Sequence, residues 1–196
     1  MSLSVIVTVF ALVAVAEVPD KTMIATLVMG SRSRPLLVWL GAAGAFLVHV
    51  ILAVVAGRLL TLLPHRTLEI ITTTLFFLGA LYLIVVPVET EEEKGEKEAE
   101  GLLPDRNVRV VATAFGVILV GEFGDLTQLL TVNLTAHYHE PWSVFIGAYL
   151  ALLTVSAIGA FGGKALLRVA PLHVVRRLGG VVLLGFTAYG IYSLVT

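Results

Sequence analysis

Six stretches of this sequence, residues 3–29, 36–60, 68–86, 108–136, 142–167 and 178–195, are mostly apolar over about the length that carries a helix across a bilayer core. Nothing else constrains the fold as tightly. In hydrocarbon every backbone N–H and C=O must find a partner inside the protein, so runs of this length fold as spanning helices. Short polar breaks separate them: Ser31-Arg32-Ser33-Arg34-Pro35, Pro64-His65-Arg66, His137-Tyr138-His139-Glu140-Pro141, and Pro171-Leu172-His173 with Arg176-Arg177. The sequence predicts an all-α, polytopic membrane protein of six transmembrane helices. Its 58% hydrophobic and 14% charged residues agree, because a soluble domain is about a quarter charged. The first run lacks a basic leader and outlasts a signal-peptide core, so it reads as a retained span.

The acidic residues are segregated. Of 14, eight lie between Glu89 and Asp105, in a hydrophilic linker (87–107) that reads as a solvated, cytoplasmic segment. Glu69 and Glu140 stand alone. The remaining four are Glu17, Asp20, Glu122 and Asp125, and they sit inside apolar runs. There a carboxylate costs about 2.5–3.5 kcal/mol on insertion scales and marks a functional site by default. No basic patch with interleaved aromatics points to nucleic acid. The absence of cysteine excludes disulfides, thiolate metal sites and thiol catalysis. No glycine-rich nucleotide loop is present, which argues against an ATP-driven pump.

The four buried acids belong to a doubled motif, Glu17-Val18-Pro19-Asp20-Lys21-Thr22 and Glu122-Phe123-Gly124-Asp125-Leu126-Thr127. The copies align at an offset of 105 residues and the segments after them at 106, where Pro35 meets Pro141, Gly41 meets Gly147 and Gly79 meets Gly185. Residues 1–86 and 108–196 therefore read as two three-helix repeats. Three spans is an odd number, so the second repeat must run through the membrane in the opposite sense, an architecture common among secondary transporters. Ten Lys and Arg residues fall on one side (Arg32, Arg34, Lys94, Lys97, Arg106, Arg109, Lys164, Arg168, Arg176, Arg177) and only Arg58 and Arg66 on the other. The first side should be cytoplasmic. Both termini then face outward, in a location read as the bacterial plasma membrane.

In a continuous helix Glu17 and Asp20 share a face, as do Glu122 and Asp125. Pro19 removes a backbone donor and predicts a kinked motif helix. Gly124 permits a softer irregularity. Two such helices meeting at mid-depth would gather four carboxylates, Thr22, Thr127 and Gln128 around one point. This all-oxygen set suits hard divalent ions such as calcium, magnesium or manganese. Clustered carboxylates share protons when no metal is present, so cation and protons would compete for one site. Lys21 has no counterpart, because Leu126 occupies the matching position; it reads as a charge partner of a motif carboxylate, with gating the alternative. His49, mid-span, reads as a satisfied interhelical hydrogen bond. His137-x-His139 reads as interfacial rather than as a zinc site. Thr26, Thr131, Asn133, Thr154 and Ser156 read as interhelical glue, and Trp39 and Trp142 as interface anchors.

The doubled motif resembles Uncharacterised Protein Family 0016, which includes Golgi calcium/manganese–proton exchangers and bacterial manganese exporters. That family's signature, Glu-x-Gly-Asp-(Lys/Arg)-(Thr/Ser), occurs once per three-helix half, with a hydrophilic central loop. The resemblance covers the whole chain. It implies that Glu17, Asp20, Thr22, Glu122, Asp125 and Thr127 are cation ligands or their supports, and that Lys21 is the motif's basic residue. Pro19 in place of Gly and Leu126 in place of a basic residue depart from the pattern. The expected function is secondary active export of Mn2+ and/or Ca2+ from the cytoplasm in exchange for H+, with no cofactor. Partners are the cation, protons and the lipid bilayer; the sequence sets no oligomeric state. The alternatives are export of another cation and an intramembrane acid-dyad hydrolase. An aspartyl protease of that kind would want Gly-x-Gly-Asp, and Glu122 stands where the first glycine should be.

Overall fold

The computed structural model describes residues 1–18, 20–85, 107–169 and 172–195. The acidic linker, save Asn107, and the kink assigned to Pro19 lie outside them. The described residues form eight helices and no strands: α1 (Leu3–Glu17), α2 (Lys21–Arg32), α3 (Pro35–Leu60), α4 (His65–Val85), α5 (Asn107–Gly121), α6 (Leu126–Tyr138), α7 (Pro141–Val169) and α8 (Leu172–Val195). Pro35 and Pro141 open α3 and α7, where a missing N–H costs nothing.

Neither motif lies within a kinked but continuous helix. Each breaks its helix in two. α1 and α2 meet at 71°, and α5 and α6 at 69°. In the first break Val18 and Asp20 are extended, and Asp20 is the N-cap of α2. In the second, Gly124 adopts a φ of +79°, a left-handed conformation that suits glycine, and Asp125 is the N-cap of α6. The glycine break is therefore as sharp as the other rather than softer. Glu17 and Asp20, at the end of one helix and the start of the next, do not share a helical face.

Among the described residues three helices are long and apolar enough to cross a membrane, α3, α4 and α7, or five if each bent pair counts as one span. The sixth expected span corresponds to α8, in which, among the described residues, Gly180–Val195 forms a shorter apolar helix.

The helices pack with small residues inward and large ones outward. On α3 the buried row is Val38, Ala42, Ala45, His49, Ala53 and Gly57, while Leu36, Leu40, Leu47, Ile51, Val55 and Leu59 are exposed. Both faces are mainly apolar, because the exposed one faces lipid rather than water; small inward residues let backbones approach. Contacts recur in matched pairs. α3 lies on α5 and α6, as α7 lies on α1 and α2, and α4 packs against α8. The match extends to single positions. A Cβ on Gly41 would come within 2.5 Å of the Val111 carbonyl oxygen, and one on Gly147 within 2.6 Å of that of Ile6.

Several expected contacts resolve differently. Thr26, Thr131, Thr154 and Ser156 donate to carbonyls three or four residues back in their own helices, which satisfies the hydroxyl locally. Of that group Asn133 crosses, its amide donating to the Thr72 carbonyl of α4 at 2.8 Å. Trp142 is exposed as an anchor should be. Trp39 instead donates to the Leu153 carbonyl at 3.0 Å and ties α3 to α7. His137 sits edge-on among Phe76, Tyr138, Phe186 and Tyr189, and the left-handed His139 ends α6.

Candidate cation site

The two helix breaks face each other. Glu17, Asp20 and Glu122 are buried, and one carboxylate oxygen from each lies within 4.8 Å of the others. Residues 100 or more apart in sequence meet because α1 and α5 end here and α2 and α6 begin here. The starting helices aim backbone N–H groups and the positive ends of their dipoles toward the acids. The ending helices leave carbonyls without intrahelical partners.

The two motifs support each other reciprocally. Thr22 Oγ1 donates to Glu122 Oε1, and Thr127 Oγ1 donates to Glu17 Oε2 at 2.6 Å. These are the same contact in the two copies, because Thr22 and Thr127, like Glu17 and Glu122, are 105 residues apart. Each threonine thus orients the glutamate of the opposite half. Glu17 Oε1 is buried with no hydrogen-bond partner among the described residues, an open acceptor beside the other carboxylates.

Asp125 is set apart from these three. Its Oδ2 lies 3.6 Å from Lys21 Nζ, and Lys21 also donates to the Gly121 carbonyl at the end of α5. The expected charge pairing of Lys21 is present, and it crosses from the first motif to the second. Gln128 is also outside the cluster. Its Oε1 accepts from the Gly124 N–H at 2.7 Å, and its amide faces His49 Nδ1 at 3.3 Å. The side chain that was expected among the ligands is thus committed to the break itself. His49 Nε2 lies 3.0 Å from the Leu119 carbonyl, the hydrogen bond expected of it. The carbonyls of Leu119 and Gly121 take part in the site without any signature in the sequence, since their side chains are not involved. A small cavity, about 10 Å³, adjoins Glu122, Thr127, Gln128 and His49. A larger one, about 240 Å³, reaches Gly124 and Asp125 between α4, α6 and α8.

Three buried carboxylates this close cannot all remain charged without compensating positive charge among them. Their donors are all oxygen. Such a cluster can exchange a hard cation for protons, and it has no nucleophile beyond the acids themselves.

The family model described as Divalent cation/proton antiporter GDT1 matches residues 5–91 and again 110–196. The chain belongs to this family. Both GDT1 matches contain one copy of the motif. The chain is similar to GDT1-like protein sll0615 of Synechocystis sp., 26% identical over 87% of this chain and 88% of that protein. It is also 26% identical to GDT1-like protein 5 of Arabidopsis thaliana, over 95% of this chain and 93% of that protein. Protein PAM71, chloroplastic, from the same plant is 26% identical over 95% of this chain but 56% of its own length. No solved structure matches. As a GDT1 protein the chain is an integral membrane transporter of divalent cations and protons, not an enzyme; the cation is its substrate.

Proposed function

We propose that this chain exports Mn2+ and/or Ca2+ from the cytoplasm in exchange for H+, with Glu17, Asp20 and Glu122 as the primary ligands. The observation that carries this is the convergence of those three oxygens within 4.8 Å at two facing helix breaks. Thr22 and Thr127 hold the glutamates in place. Asp125 completes the charge of the site through Lys21. Oxygen ligands and the absence of thiolate favour a hard ion. Protons replace the cation when it leaves, which keeps the cluster's charge balanced.

The proposed architecture is six spans in two inverted three-helix repeats, 1–86 and 108–196, joined by the cytoplasmic linker 87–107, with both termini extracytoplasmic in a bacterial plasma membrane. The paired contacts of α3 with α5 and of α7 with α1, and the exchanged threonine–glutamate bonds, support this reading. The uneven distribution of Lys and Arg supports the orientation.

Divalent-ion uptake into inside-out vesicles, with and without a pH gradient, tests the proposal. Glu17→Gln, Asp20→Asn, Glu122→Gln and Asp125→Asn should each impair transport severely, and changes at residues 91–100 should not. Normal transport by Asp20→Asn and Glu122→Gln would remove the site.

A further inference from the structure

The two helix breaks are built alike but braced differently. The second break is crossed by a chain of hydrogen bonds whose direction is forced. The Gly124 N–H can only donate, so Gln128 Oε1 accepts it, at 2.7 Å. The other end of that amide must then donate, and it faces His49 Nδ1 at 3.3 Å. The Leu119 carbonyl can only accept, so His49 Nε2 carries the hydrogen, at 3.0 Å. The chain thus starts within the break, at Gly124, passes Gln128 in α6, and ends before the break, at Leu119 in the last turn of α5. It passes through a residue of α3, a helix that packs on both α5 and α6. Glu122 lies between the two ends.

The first repeat lacks the residues for such a chain. The repeat offset places Met23 opposite Gln128 and Val155 opposite His49, and neither side chain can make these bonds. The His49 ring is otherwise anomalous: a 3% exposed imidazole on the small-residue face of a spanning helix, also 6.2 Å from the ring of Phe123 inside the break. Neither His49 nor Gln128 belongs to the doubled motif.

We infer that His49 is a positioning residue for the cation site, acting through Gln128 and the Leu119 carbonyl to fix the second helix break and, with it, Glu122. This rests on the carboxylate site proposed above. It gives the second break a brace from α3 that Met23 and Val155, at the matching positions of the first repeat, do not supply.

Two readouts in liposomes test it, Mn2+ transport and the mobility of a spin label at position 123. The chain has no cysteine, so Phe123→Cys, at a 71% exposed position, gives a single labelling site. His49→Leu should raise the KM for Mn2+ about tenfold, a change larger than that in maximal rate, and should raise label mobility. Gln128→Met should do the same, and the double variant should be no worse than the more affected single one, because both belong to one chain of bonds. His49→Gln keeps a donor and an acceptor and should recover most of the loss. Unchanged label mobility in His49→Leu, or additive losses in the double variant, would overturn the inference. If the native protein carries no Mn2+, the transport proposal falls and label mobility alone decides the brace.

Discussion

Leucine at position 21, the residue that the second motif carries at the matching place, tests what balances the charge of the site. Lys21 Nζ lies 3.6 Å from Asp125 Oδ2, and the two side chains are only 13% and 14% exposed. The ammonium also donates to the Gly121 carbonyl, which no intrahelical donor can reach. Removing one partner of a buried pair costs about 3–5 kcal/mol, because the other charge stays desolvated. The slight exposure here places Lys21→Leu at the lower end, about 3 kcal/mol. One kcal/mol shifts the unfolding midpoint of a chain this size by about 2–4 °C, so the cation-free variant should unfold roughly 6–12 °C lower. Mn2+ should then stabilise the variant more than the native protein, since Asp125 becomes a fourth acid with no ammonium beside it. The assay is thermal unfolding in detergent across a series of Mn2+ concentrations. A compensating variant, Lys21→Leu with Leu126→Lys, carries the ammonium into the other repeat, where the matching acid is Asp20, and should recover more than half of the loss. Equal midpoints without cation, or equal shifts with it, would refute the assignment of Lys21 as the counter-charge.

Three further outcomes follow from particular contacts. Thr22→Val and Thr127→Val should each lower kcat/KM for Mn2+ about tenfold, as expected for losing one hydrogen bond to a charged group, worth about 1.5–3 kcal/mol; strongly unequal losses would count against the reciprocal arrangement. Gly124→Ala meets no atom within 4 Å, so its cost is the left-handed backbone alone, about 1–2 kcal/mol by thermal unfolding. Gly41→Val and Gly147→Val drive a side chain into a carbonyl and should abolish monodisperse protein in detergent, whereas Gly116→Ala and Gly185→Ala, with nothing within 4 Å, should not.

The elements were legible where the signal is long. Runs of twenty apolar residues marked α3, α4 and α7 to within a few residues, and Pro35 and Pro141 marked two starts. The break at each motif was legible only as an irregularity. Sequence periodicity assumes a continuous helix, and in one Glu17 and Asp20 would stand a turn apart on the same face. The structure instead uses the break to turn the second acid of each motif into a helix N-cap. The partition of the acids was hidden for a different reason. Four carboxylates look equivalent in a doubled motif, and only the fold brings three of them together while Asp125 lies 3.6 Å from Lys21 across the repeats. What the Gln128 amide bonds to was hidden because composition says what an amide can bind, while the nearby Gly124 N–H sets one of its partners. Carbonyl ligands and braces such as Leu119 leave no trace in residue type.

The departures from symmetry bear on how such a site can have a direction. In the proposed architecture, two identical inverted repeats would give the inward-facing and outward-facing forms the same internal energy. Each form would be the other turned over, so only the gradients would choose between them. This chain is not symmetric at three places that touch the site: Lys21 faces Leu126, His49 faces Val155, and Gln128 faces Met23. His49 and Gln128 act on the second break, and Lys21 joins the two breaks. Lys21 holds the end of α5 and Asp125, and His49 with Gln128 holds Leu119 and Gly124. Any rearrangement that loosens the second break must give up all of these bonds, whereas loosening the first gives up those of Lys21, which opens α2, but not the His49–Gln128 chain. In that architecture the two forms should differ in energy even with no ion bound, and the form that keeps the second break intact is the expected resting one. Removing the one-sided brace with His49→Leu should shift that resting preference toward the opposite form. Side-specific labelling of single cysteines placed on α2 and α6 would read the shift directly, and an unchanged labelling pattern would show that the bias lies elsewhere.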